Sequence, residues 1–215
     1  MSVSLAYNMD CMEALREMPD NAFDLACVDT PYGNVLQNEM NRERGGSWAS
    51  AYGNNERTKL RLWDIAPGED YFKELFRVSR NQIIWGGNYF RLPPTRCFLI
   101  WRKTNVPEKF TMAMAEYAWT SFNENAKVFD FSAVGQAGRF HPTQKPPELY
   151  RWIFHHYAKP GDKIIDTHLG SGSSRIAAYD AGLDFVGYEI DKEYFDKQEK
   201  RFAEHSAQLN LFLGG

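Results

Sequence analysis

Toward the end of the chain a strand, a glycine turn, a helix and a second strand closing on an acid follow one another, and few folds accommodate that order. The strand is Lys163–Asp166, the turn runs through Thr167, His168, Leu169, Gly170, Ser171 and Gly172, and a helix is predicted over Ser173–Ala181. The second strand, Phe185–Glu189, ends on its acid. Glycines at 170 and 172 let the backbone approach a ligand that a Cβ would block. The free N–H groups at the start of the helix can bind a carboxylate or phosphate. An acid at the end of the second strand is placed to bind both ribose hydroxyls of a nucleoside. Together these features predict a nucleoside-cofactor unit on an α/β sheet. Arg175 stands where a dinucleotide fingerprint would carry its third glycine, which weakens NAD as the ligand.

The rest of the chain alternates in the same way, so the predicted fold class is α/β with a doubly wound mixed sheet. Short strands are predicted at Val3–Tyr7, Gln82–Trp85, Cys97–Trp101, Glu116–Ser121 and Lys127–Phe131. Phe23–Val28 is an apolar run of buried-strand length. Helices are predicted over Cys11–Met18 with Asp10 as N-cap, over Glu69–Val78, from Pro146 or Pro147 to Tyr157, and over Asp191–Leu209. With 215 residues the chain suits one domain with a full core. Between residues 34 and 61 periodicity fails and glycines accumulate, which predicts a functional or mobile loop.

Net charge is −3, so whole-surface attraction to phosphates is excluded and nucleic-acid contact would need a local patch. Arg42, Arg44, Arg57, Lys59 and Arg61 are the candidates, interrupted by Glu39, Glu43 and Glu56. Cys11, Cys27 and Cys97 form no C-x-x-C pair, and the expectation is no disulfide framework and no metal. No apolar run of membrane-spanning length and no leader are read, so the expected location is cytoplasmic, without membrane contact.

A second chemical unit, Asp29, Thr30, Pro31 and Tyr32, follows the Phe23–Val28 strand. That end of a strand faces the ligand crevice in open α/β sheets. Asp29 can accept one hydrogen of an amino-bearing base, the Thr30 carbonyl can accept the other, and Tyr32 offers a face for stacking. A plain surface turn uses the same residue types.

In these motifs the chain resembles the amino-group DNA methyltransferases of the permuted β class, in which the catalytic motif precedes the cofactor motif. The resemblance spans nearly the whole chain. Asn8, Met9, Asp10 and Cys11 look like the opening segment, and Asp29–Tyr32 like the catalytic Asp-Pro-Pro-Tyr. Residues 83–88 and 99–103 look like the middle strands. His141, Pro142, Thr143, Gln144, Lys145 and Pro146 match the segment before the cofactor half, and Asp166–Ser174 resembles Asp-Pro-Phe-x-Gly-Ser-Gly-Thr. Thr30 replaces a proline, and Thr167 and His168 replace Pro-Phe.

The resemblance implies a Rossmann-like, circularly permuted S-adenosylmethionine-dependent methyltransferase acting on DNA, adenine N6 being favoured over cytosine N4. It implies Asp29, Thr30, Pro31 and Tyr32 as catalytic residues. It implies a cofactor site of Asp10, Thr143, Lys145, Asp166, His168, Gly170, Ser171, Gly172, Ser173 and Glu189. Asp10 would lie near the cofactor's adenine, Gly170 and Gly172 beside its methionine portion, and Glu189 on its ribose. Residues 102–140 would hold a short target-recognition region. Methylation of RNA or of a protein amide, and a non-catalytic nucleic-acid-binding role, are the competing readings. Monomer and homodimer both stay open.

Overall fold

Parallel strands joined by helices build most of the molecule, because buried apolar runs such as Phe23–Val28 need both sheet faces covered. The computed structural model describes residues 2–33, 64–109, 113–132, 140–141 and 143–213, with side chains to residue 208. The expected loop 34–61, with its arginines and lysine, lies outside the described residues. So do 110–112 and 133–139 of the expected recognition region, and Pro142.

In chain order the described elements are β1 (Ser4–Tyr7), α1 (Cys11–Glu17), β2 (Phe23–Val28), α2 (Glu69–Val78), β3 (Ser79–Trp85), β4 (Phe98–Lys103), β5 (Ala115–Thr120), β6 (Lys127–Phe131), α3 (Pro147–Tyr157), β7 (Lys163–Asp166), α4 (Ser173–Asp180), β8 (Asp184–Tyr188) and α5 (Lys192–Leu213). A short 3-10 turn, Gly87–Tyr89, follows β3. Strands β2, β6 and β7 and helix α2 have the predicted bounds. β3 begins three residues earlier than predicted, because Ser79 and the residues after it pair alongside β2. The last helix runs on to Leu213 rather than stopping at Leu209.

The eight strands form one sheet in the order β1-β8-β7-β2-β3-β5-β4-β6. All neighbouring pairs are parallel except β3 with β5 and β5 with β4, so the sheet is mixed through one reversed strand. Alternation along the strands supplies two cores. Leu25, Cys27, Ile83, Trp85 and Ile164 face one side with Leu149, Ile153 and Phe154 of α3 and Ala177 of α4. Ala26, Val28, Ile84 and Ile165 face the other with Leu15 of α1 and Tyr71, Leu75 and Val78 of α2. Helices thus cover both faces, as the doubly wound reading requires. The three cysteines are free and buried. Among the described residues no helix is long and apolar enough to cross a membrane.

Register brings the two chemical units together. β2 pairs with β7 through Leu25 opposite Ile164 and Ala26 opposite Ile165. Carried two residues further, that register sets the ends of the strands level, so the turn at Asp29 and the turn after Asp166 leave the same edge. β3 lies on the other flank of β2, with Ile84 opposite Val28, and delivers Gly86 and Gly87 to that edge as well.

Candidate active site

Asp29 leaves the buried end of β2 with its side chain only 16% exposed. Both of its carboxylate oxygens are engaged. The Tyr32 hydroxyl donates to Oδ1 at 2.8 Å, and the Lys145 ammonium lies 2.5 Å from Oδ2. Burial pushes the Asp29 carboxyl above its ordinary range and Lys145 pulls it back. Tyr32 is fixed further by its backbone: its N–H and that of Gly33 both donate to Asp64 Oδ1 at 3.1 Å. Its ring stacks on Tyr89, with centroids 5.0 Å apart. Thr30 is buried, and its hydroxyl has no hydrogen-bond partner among the described residues.

Lys145, which the resemblance implies as a cofactor contact, reaches the turn at Asp29. Its ammonium lies between Asp29 and Glu116 Oε2 at 3.1 Å, and 5.2 Å from the centre of the Trp85 ring. The other oxygen of Glu116 takes the Lys103 ammonium at 2.6 Å. Burial alone would raise the Glu116 carboxyl, but Lys145 and Lys103 outweigh it and hold it at about 2. Neither Glu116 nor Lys103 was legible as a site residue, because each lies in a strand where a charge usually marks a solvent face.

The glycine turn is organised from within. Asp166 Oδ1 accepts the His168 N–H at 3.0 Å and Oδ2 accepts the Ser174 hydroxyl at 2.5 Å. The Asp166 side chain, 1% exposed, therefore braces the turn. Thr167 shares a hydrogen bond with the Tyr71 hydroxyl at 2.6 Å and with His168 Nδ1 at 2.9 Å. Burial raises Asp166 to about 7 and lowers His168 to about 4. Gly170 and Gly172 both have positive φ, 52° and 73°, which favours glycine at each. Glu189 reaches back from the end of β8, Oε2 accepting the Gly170 N–H at 2.8 Å and Oε1 the Asp191 N–H at 2.9 Å. From α5, Arg201 donates to the Ser171 carbonyl at 2.8 Å and the Ser173 hydroxyl at 2.9 Å. Asp10 is exposed, and its carboxylate caps α1 through the Met12 N–H at 2.9 Å.

Two bridges join the turns. Aromatic rings form one: Tyr32 meets Phe90, Phe90 meets Phe72, Phe72 meets Tyr71, and Tyr71 meets His168, at centroid distances of 6.3, 5.1, 5.1 and 5.5 Å. The segment around Gln144 is the other. His141 lies against the glycine turn, where a Cβ on Gly170 would sit 3.4 Å from its Nε2, while Lys145 reaches Asp29. Thr143 is exposed between them, its hydroxyl 3.3 Å from His141 Nδ1. Tyr71, Arg201 and Tyr89 carry no motif that singles them out in the sequence.

A doubly wound sheet with a glycine turn and an acidic turn at one edge is the arrangement expected of a nucleoside-cofactor enzyme. Residues 42–200 match the DNA methylase family of N6 and N4 methyltransferases, and the chain belongs to that family. It is 24% identical over 240 residues to the type II methyltransferase M.HinfI of Haemophilus influenzae, covering 91% of this chain and 67% of that protein. The fold is similar to that of M1.HpyAVI in its SAM complex, with a TM-score of 0.56, 19% identity, and 92% and 98% of the two chains covered. It is also similar to the cytosine-N4-specific PvuII DNA methyltransferase, with a TM-score of 0.60, 14% identity, and 100% and 94% covered.

Proposed function

We propose that this chain transfers a methyl group from S-adenosyl-L-methionine to the N6 amino group of an adenine flipped out of DNA. The observation that carries the reading is the shared strand edge: one short segment lies beside Gly170 through His141 and reaches Asp29 through Lys145. A methyl donor and its acceptor amine must meet within about 3–3.5 Å, which two turns on one strand edge permit. A permuted order of motifs fits the sheet, in which β7 comes late in the chain yet lies between β8 and β2.

The glycine turn suits the cofactor, since the positive φ at Gly170 and Gly172 bends the backbone sharply into the start of α4. Backbone N–H groups at the start of α4 would receive its carboxylate, and Glu189 its ribose hydroxyls. When bound, the cofactor supplies a methyl group already activated on a positively charged sulfur. A base inside a duplex cannot reach that methyl, so it must leave the stack. Asp29 accepts one amino hydrogen and the Thr30 carbonyl the other, which turns the nitrogen lone pair toward the methyl carbon. The methyl would leave the bound cofactor with the electron pair staying on sulfur, and the methylated nitrogen would then shed a proton, for which Asp29 is the carboxylate in reach. Positioning and charge complementarity carry the rate.

Asp29 where N4-cytosine enzymes of the resemblance carry serine supports adenine as the target. Mass spectrometry of nucleosides from DNA of a methylation-deficient host expressing the chain tests this choice. N6-methyldeoxyadenosine is expected, and N4-methyldeoxycytidine alone would overturn it.

A further inference from the structure

Both oxygens of Asp29 already hold a partner, so an incoming amino group must compete with them for the carboxylate's remaining lone pairs. The ammonium on Oδ2 belongs to Lys145, whose side chain is 3% exposed and whose retreat into water is blocked. Among the described residues it pairs with one other anion, Glu116 Oε2 at 3.1 Å. Glu116 is itself anchored by Lys103, whose side chain is 8% exposed. The four groups form an alternating row, Asp29, Lys145, Glu116, Lys103, in a setting where unpaired charge is costly.

We propose that Glu116 is a positioning residue that takes over the Lys145 ammonium when the target base engages Asp29, and that Lys103 sets how strongly it does so. The inference rests on the methyltransferase reading above. Before the base arrives, Lys145 covers Asp29. On arrival the ammonium moves fully onto Glu116, freeing Oδ2 for the amino hydrogen while the buried ammonium keeps an anion and Asp29 keeps the Tyr32 hydroxyl. Tyr32 keeps Oδ1. The side chains acting on Asp29 and Lys145 also include Tyr150 of α3, Cys27 of β2 and Asp166 of β7, and none of these carries a second cation. The glutamate on β5 is thus the acceptor that geometry offers.

Removing the charge at 116 leaves Lys145 with Asp29 as its only anion among the described residues, so lysine competes with the base. Removing the charge at 103 leaves Glu116 with Lys145 alone, so the ammonium is drawn off Asp29. The two changes therefore move Asp29 in opposite directions. With Glu116 neutral, Asp29 loses a nearby negative charge and keeps a tighter cation, so it ionises at lower pH. With Lys103 neutral, Asp29 ionises at higher pH.

The test is steady-state methylation of DNA from a methylation-deficient host at saturating S-adenosylmethionine, across pH, for wild type, Glu116→Gln, Lys103→Gln, Lys145→Met and the Glu116→Gln, Lys145→Met double variant. Thermal melting checks folding, and calorimetry checks cofactor affinity. Glu116→Gln is expected to raise the DNA KM about tenfold with cofactor affinity within about twofold of wild type, and to shift the acid limb of kcat/KM downward. Lys103→Gln is expected to shift that limb upward. In the Lys145→Met background Glu116→Gln is expected to add little. Wild-type KM in a folded Glu116→Gln, equal shifts of one sign in both variants, or full additivity in the double variant would overturn the proposal. If Glu116→Gln does not fold, the direction of the Lys103→Gln shift decides alone. A wild-type protein inactive on every DNA tested would instead sink the methyltransferase reading.

Discussion

The Lys145 ammonium sits 2.5 Å from Oδ2 of Asp29, joining the segment before the glycine turn to the turn after β2. That contact ties the Asp29 turn to the half of the chain that carries the glycine turn, and the rigidity of the Asp29 turn is expected to matter for activity.

Gly86 tests that rigidity. It has a φ of 69°, and a Cβ there would lie 2.2 Å from Cε1 of Tyr32. Alanine would combine left-handed backbone strain of about 1–2 kcal/mol with a clash on the ring that holds Asp29. Gly86→Ala is expected to melt several degrees lower and to lose roughly a hundredfold in kcat, as a misplacement of about 1 Å can cost. Wild-type turnover in this variant would mean that Tyr32 does not need its present position.

Thr30 offers the reverse effect on stability. Its buried hydroxyl has no hydrogen-bond partner among the described residues, a desolvation penalty of about 1–3 kcal/mol. Thr30→Val keeps the shape and removes that penalty. Its melting temperature is expected to rise by roughly 2–4 °C for each kcal/mol gained in a chain of this size. A lower melting temperature by calorimetry would show that the hydroxyl is satisfied in solution.

Asp166 and His168 predict a compensation in pH. Asp166 is raised from 3.8 to about 7, so the folded protein holds a proton the unfolded chain loses, and this contribution to stability fades as pH rises from 3.8 to 7. His168 is lowered from 6.5 to about 4, so its contribution grows as pH rises from 4 to 6.5. The opposite slopes offset one another in the wild type. Asp166→Asn is expected to leave a stability that climbs from pH 4 to 6.5, and His168→Phe one that falls between pH 4 and 7. Urea titrations at several pH values check this, and parallel profiles for both variants would refute it.

Glu189 is expected to serve the cofactor. Its carboxylate already fixes Gly170 and Asp191 through their N–H groups. Glu189→Ala removes charged hydrogen bonds of about 1.5–3 kcal/mol, so S-adenosylmethionine affinity should fall about 10- to 100-fold by calorimetry. Unchanged affinity would remove Glu189 from the cofactor site.

Much of this was legible because local pattern and tertiary role coincide. Phe23–Val28 is apolar apart from Asp24 and is a central strand; Gly170 and Gly172 have the positive φ that their placement in a turn suggests. Reversal of β5 between β3 and β4 was not legible, since strand order depends on pairing partners distant in sequence. Nor was the row running from Asp29 to Lys103. Glu116 gains its meaning only when β5 is set beside β3 and Lys145 folds back over Trp85, and no spacing in the sequence records either event.

The most direct measurement is transfer of labelled methyl groups from S-adenosylmethionine to methylation-free DNA by wild type and by Asp29→Ala. Label is expected in adenine with the wild type, falling by about a hundredfold or more when the carboxylate that orients the amine is removed. Equal incorporation by the two proteins would contradict the assignment of Asp29 as the residue that presents the amino group.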